Sequence, residues 1–254
     1  MKTLKKSIYV VIGLFLIISL SSFTSNGVSN NNNTNNSAVV VGNGKFKTKK
    51  VTIEAFSKIS ILSNVDVVLN ETTNQEITIL AETNIIELLD FEFINNKLTI
   101  KNKNNINFKS TKKIVINIPI QNLETILVDG GATVTSATKL KTDYIKLIAK
   151  NGGTISIDVD ALESDMFLDG NAKLNIKGNV ENTYIEVSYQ SNFEGTNLIT
   201  ENATLKLTGS VECMINCNKS IDAYLCGNGN LKYKGSPKNK NLEIKGTGKI
   251  VAMK

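Results

Sequence analysis

The chain has no histidine, no arginine and no tryptophan, and only two prolines among 254 residues. Without histidine, Ser-His-Asp and Cys-His nucleophile systems cannot be assembled, and histidine-ligated metal sites are closed as well. Cysteine is also scarce: Cys213, Cys217 and Cys226 make an odd number, so at least one thiol stays unpaired unless chains are cross-linked. Cys213 and Cys217 lie four residues apart on a predicted strand, where ~3.3 Å per residue holds their Cα atoms ~13 Å apart, too far for a bridge. Cys226 could pair with one of them; buried free thiols are the reading taken here, with Cys213 a small apolar filler. Charge of one sign is lacking too. Half of the formal net charge of +6 is carried by Lys2, Lys5 and Lys6, and the remaining lysines and acids are interspersed. Such a balance gives no footprint for nucleic acid or for an anionic membrane surface.

What is present begins with an export pattern. The three lysines precede the apolar run Ile8 to Leu20, and Ser19 and Ser21 fit a small-x-small cleavage site. The run is short of the ~20 residues a bilayer-spanning helix needs, so residues 1–21 read as a signal peptide, with an uncleaved anchor as the alternative. No cysteine follows it for lipid attachment, and no membrane span is expected after cleavage. Residues 22–45, centred on the Asn-rich stretch Asn26 to Asn36, hold little that can bury apolar area and read as a disordered linker. About 210 residues remain, enough for one large all-β domain over 46–254.

Within that domain, residues 129–254 repeat one phrase seven times. A tight Gly/Asn/Ser turn is followed by alternating apolar residues, the first of which are Val134, Ile155, Leu174, Phe193, Cys213, Leu231 and Ile250. Their spacings are 21, 19, 19, 20, 18 and 19 residues. Period-two alternation inside a repeat of about twenty residues specifies a solenoid of stacked strands. The predicted fold is a right-handed, single-stranded parallel β-helix with about 19-residue coils in this half. Inward rows are expected at Ile145, Leu147 and Ala149, at Met166 and Leu168, at Ile185, Val187 and Tyr189, and onward to Leu242 and Ile244. Ser191 is expected in the corner slot of Gly170 and Gly209. Residues 46–128 keep strand character without the short turns and read as less regular coils that also cap the stack. Strands are predicted over 56–61, 65–69, 77–81, 97–100 and 114–118, with a tight bend at Asn95-Asn96 and one helical turn near Ile85 to Leu89.

Chemistry-bearing residues do not gather. Asp129 and Asp169 precede turns, but the same slot is expected to hold Asn151, Gln190, Thr208, Cys226 and Lys245 in neighbouring coils. Asp165, Glu186 and Asp222 face outward in successive strands, which describes a solvated face. The stretch Gly152 to Asp158 lacks the third glycine of a calcium-binding repeat, and no other coil repeats it. Phe167 and Tyr224 are expected on the outer side, in one column with Ser188, Lys206 and Glu243, where they read as isolated exposed aromatics. No catalytic, cofactor-binding or metal-ligating residue is assigned.

The stretch Leu231 to Pro237 followed by Ile244 to Gly248 resembles the closing signature of the auto-transporter adhesin head GIN domain family. Phe56 to Ile59, Val65 to Leu69, Leu98 to Ile100 and Ile118-Pro119 resemble its opening. The resemblance covers about Val51 to the carboxyl terminus, although no Gly-Ser-Gly triplet of the family is intact. It implies a right-handed parallel β-helix without catalytic residues, in exported bacterial proteins assigned to adhesion. The combined expectation is a non-enzymatic exported solenoid that binds an unknown glycan or protein at the periplasm, the outer-membrane surface or outside the cell. No nucleic acid and no cofactor is expected, and homo-oligomers are possible. The alternatives are a carbohydrate-active β-helix enzyme, with Asp165 and Asp169 as its test positions, and a purely structural self-assembling protein.

Overall fold

The computed structural model describes residues 39–72 and 75–253. The expected signal peptide and the Asn-rich tract lie outside the described residues. Strands come in chain order as β1 (Val40–Val41), β2 (Phe46–Thr52), β3 (Lys58–Ile61), β4 (Asp66–Glu71), β5 (Glu76–Glu82) and β6 (Leu89–Ile94). Next are β7 (Lys97–Asn102), β8 (Phe108–Lys109), β9 (Val115–Ile120), β10 (Thr125–Asp129), β11 (Thr133–Ser136) and β12 (Leu140–Lys150). The long strands β13 (Thr154–Asp169), β14 (Lys173–Tyr189), β15 (Asn192–Gly209) and β16 (Glu212–Gly227) follow. The chain closes with β17 (Asn230–Lys234), β18 (Asn239–Gly246) and β19 (Lys249–Ala252).

From β10 onward every pairing is parallel and joins one coil to the next, which is the predicted solenoid. The seven positions picked out by spacing fall into one column, Val134–Ile155–Leu174–Phe193–Cys213–Leu231–Ile250. The first six are fully buried or nearly so. On the other arm, Leu147–Met166–Ile185–Leu205–Ala223–Leu242 and Ala149–Leu168–Val187–Leu207–Leu225–Ile244 form two further columns. One coil alone could not remove such a row from water; stacked neighbours bury it on both sides. In β13 the buried parity changes between Val159 and Ser164, because the chain turns a corner there without interrupting its ladder to β14.

One inward and one corner assignment are corrected. Tyr189 is 67% exposed and adopts φ +59°; it pairs with Gly209 at the corner. Ser191 is buried beside Ala172, whose amide donates to its hydroxyl, so it does not hold the slot of Gly170 and Gly209. Past Tyr189, the close approach of successive coils demands glycine in this corner column. A Cβ on Gly246 would lie 2.2 Å from the Gly227 carbonyl oxygen, and both residues have positive φ.

The amino-terminal coils stack in an order that differs from the sequence. The β3/β4 coil lies between the β7/β9 coil on one side and the β10/β11 coil on the other. Beyond β7/β9 the ladders turn antiparallel: β6 returns along β7 through the Asn95-Asn96 hairpin, and β5 and β2 run along β9 in succession. The predicted helical turn is a single 3₁₀ turn, Ile86–Leu88. The outermost strand β2 carries exposed Lys47 and Lys50 and half-buried Lys49, a residue type that discourages further edge pairing.

The expected linker over 22–45 ends too late, because β1 pairs with β8 and the segment after it is fastened to the cap. Glu82 is fully buried and accepts from the Gly44 amide (2.7 Å), the Ser110 hydroxyl (2.6 Å), and both the amide (3.0 Å) and hydroxyl (2.7 Å) of Thr111. Burial alone would push this carboxyl up; the four donors outweigh it and hold the carboxyl at about 2. At the other end, nothing among the described residues stacks on β18 or β19. Leu242 and Ile244, expected inward, are therefore 38% and 44% exposed although they continue buried columns.

Candidate binding wall

Side chains that alternate with the aliphatic columns point away from the core and form the outer wall of β12, β13, β14, β15, β16 and β18. One outward column reads Lys146–Asp165–Tyr184–Thr204–Asp222–Asn241. Its neighbour reads Ile148–Phe167–Glu186–Lys206–Tyr224–Glu243. The register corrects two sequence expectations. Glu186, two residues before Ser188, is the neighbour of Phe167. Lys150 lies between Asp129 and Asp169 where Asn151 was expected, and Ser188 pairs with Thr208 in the place expected for Gln190.

Phe167 is not isolated. The Tyr184 ring lies 5.9 Å from it at 52°, and the Lys146 ammonium sits 4.9 Å from its centroid. The Tyr144 hydroxyl donates to Asp165 (2.8 Å), and that of Tyr184 to Glu186 (2.9 Å). Burial, reinforced by these carboxylates, pushes both phenols up to about 12, so both remain donors at neutral pH. Tyr224, three rungs from Phe167, stands apart beneath Lys245, whose ammonium is 5.4 Å from the ring. A groove of about 360 Å³ runs beside Phe167, bounded by Lys146, Lys150, Asp169 and Glu186. Sequence reasoning passed over Tyr144 and Tyr184. Their outward parity was readable, but their contact with Phe167 and Asp165 depends on the register between coils.

The outward carboxylates are engaged one by one. Asp169 accepts from the Ser188 hydroxyl, Asp222 from Asn241 (3.0 Å), Asp129 from Asn151 (2.7 Å), and Glu186 also faces Lys206 (3.4 Å). Nearer the corner, Lys139 bridges Asp160 (3.0 Å) and Asp158 (3.7 Å). Among the described residues, no group of three or more acids or cysteines is arranged to hold a metal ion. The three cysteines are unbridged, and burial pushes the Cys213 and Cys217 thiols up, away from nucleophilic thiolate. No described helix is long and apolar enough to cross a membrane.

A stack of parallel coils with a largely aliphatic interior and a chemically varied outer wall is a β-solenoid. This chain belongs to the family described as "Putative auto-transporter adhesin, head GIN domain", whose model matches residues 55–237. That match bears out the family resemblance; it ends at Pro237, before the Ile244 to Gly248 stretch. Among solved structures it is similar to a "putative adhesin" from Bacteroides fragilis NCTC 9343, with 24% identity and a TM-score of 0.80 over 84% of this chain and all of that one. A "putative adhesin" from Parabacteroides merdae ATCC 43184 gives 20% identity and 0.71, covering 85% of this chain and 99% of that one. A "Putative lipid binding protein" from Parabacteroides distasonis ATCC 8503 gives 18% and 0.69, again covering 85% and 99%. At these identities the likeness concerns the fold. No curated protein matches the chain.

Proposed function

We propose that this protein is an exported, non-enzymatic recognition protein of the cell envelope, and that the wall around Phe167 contacts its ligand. The observation that carries this reading is the groove beside Phe167, where an aromatic ring, two lysines and two carboxylates line one concavity. Aromatic carbon and dispersed hydrogen-bonding groups suit a carbohydrate chain, whose C–H faces pack on rings while its hydroxyls bond to carboxylates and ammonium groups. The adhesin family supports binding as the activity, and the basic, apolar leader over residues 1–21 supports export. Against hydrolysis stands the separate engagement of each carboxylate with its own donor, where glycoside cleavage needs two carboxyls flanking one bond.

A glycan array probed with the purified protein tests the reading, followed by calorimetry on any hit. Binding should weaken at least tenfold in Phe167→Ala and in Glu186→Gln. Unchanged binding in both variants would remove this wall from the account. Turnover of any polysaccharide, lost in Asp165→Asn or Asp169→Asn, would replace recognition by catalysis. Labelling of intact cells with an antibody should detect the protein at the surface.

A further inference from the structure

Apart from that wall, the most unusual surface is the end of the stack at β18 and β19. In the inner coils the main-chain amides and carbonyls of both arms are paired above and below, apart from bulges between Asn175 and Lys177 and between Gly195 and Asn202. Among the described residues, those of the last coil are paired on one side only. Thr247 donates its amide to Gly227, and Lys249 and Met253 donate theirs to Gly229 and Tyr233. Strand groups alternate sides with period two, so Leu242, Ile244, Ile250 and Ala252 direct their amides and carbonyls outward, away from the stack. Leu242, Ile244 and Val251 are 38%, 44% and 48% exposed. The surface therefore offers a free backbone edge on each arm together with the open ends of aliphatic columns.

We infer that this end is an interface between two copies of the chain, joined tail to tail about a two-fold axis. Head-to-tail stacking is closed, because the opposite end of the molecule carries antiparallel strands and the lysine-bearing edge β2. Two β18 strands related by a two-fold axis run antiparallel, and charge selects their register. With Ile244 on the axis, Ile244 meets Ile244, the two edges exchange both backbone bonds there, and Glu243 of each copy meets Lys245 of the other. Centring on Glu243 would instead oppose two carboxylates. In the chosen register the short stretch from Leu242 to Gly246 pairs. Lys240, which ends the Ile221 column, falls outside it and reaches water. A charge at that point opposes longer edge pairing, so the assembly closes at two.

Sedimentation-velocity analysis of the purified protein should give twice the chain mass at high micromolar concentration. Glu243→Lys and Lys245→Glu, each alone, put like charges opposite one another and should sediment as monomers. An equimolar mixture of these two variants restores both Glu–Lys contacts and should recover the dimer. Within one chain Glu243 and Lys245 are 3.6 Å apart and exposed, a pair worth little to folding, so both variants should keep the parent circular dichroism spectrum. A wild-type monomer at all concentrations overturns the inference. So does a dimer that survives both single variants, or a mixture that stays monomeric.

Discussion

The two ends of the stack finish the same kind of coil in opposite ways. At the amino end, the inward residues of β7, Leu98 and Ile100, are completely buried, because β6 folds back along β7 and the segments around Glu82 close over the coil. At the carboxyl end, Leu242 and Ile244 continue equally apolar columns and remain open to solvent. A solenoid coil is thus complete only when both neighbours exist. What differs between the ends is whether described strands cover the coil, not the coil itself.

The sharpest test of that contrast replaces leucine by alanine at each end. Leu98→Ala should cost about 2–5 kcal/mol in urea unfolding, through lost transfer and a cavity the cap cannot close. Leu242→Ala, measured in the dilute monomer, should cost under about 1 kcal/mol, since much of that side chain is already in water. Equal losses would break the comparison. Between the ends, Ser164 and Thr183 bond to each other (2.7 Å) inside the stack. Ser164→Ala strands a buried hydroxyl and should cost about 1–3 kcal/mol, while the double change Ser164→Ala with Thr183→Val should recover most of it.

Acid should distinguish the ends locally. The Glu82 carboxyl titrates at about 2 in the folded protein against an ordinary 4.5, so its contribution is fully present above 4.5 and fades as pH falls toward 2. Over that window, hydrogen-exchange protection, corrected for the intrinsic pH dependence, should fall at Gly44 and Thr111 and stay level at Leu205 in the central coils. Glu82→Gln should remove the difference. The smallest effect is expected at the corner: Tyr189→Gly relieves a left-handed conformation that its column neighbour Gly209 adopts freely, and should stabilise by up to about 1 kcal/mol. A loss on this change would mean that the Tyr189 ring contributes more than its exposure indicates.

The regular half of this fold was readable because every inward position repeats at a fixed distance. One column of seven residues was identified from spacing alone. Reading failed where local pattern is silent. Tyr189 continues the period-two alternation of Ile185 and Val187, and only its place opposite Gly209 shows that the strand has already turned. β3 has the same alternation whether its neighbours come next in sequence or much later, so nothing local reveals that β10 stacks upon it. The donors around Glu82 come from two distant segments and carry no motif. The candidate wall was half legible: the outward parity of Phe167 was clear, but assigning Ser188 in place of Glu186 as its neighbour hid the cluster with Tyr184.

The displaced β3/β4 coil also bears on how the chain reaches its native state. Contacts between adjacent regular coils, such as Asn175 with Ser156, join residues 19 apart, whereas Ser57 with Glu124 joins residues 67 apart. Closing the longer loop costs about 1 kcal/mol more in chain entropy before any contact compensates. Assembly should thus nucleate among the carboxyl-proximal repeats and reach the amino-proximal coils last, against the direction of synthesis. A polypeptide whose first-made segments must wait for later ones stays incompletely folded until most of the chain has been made.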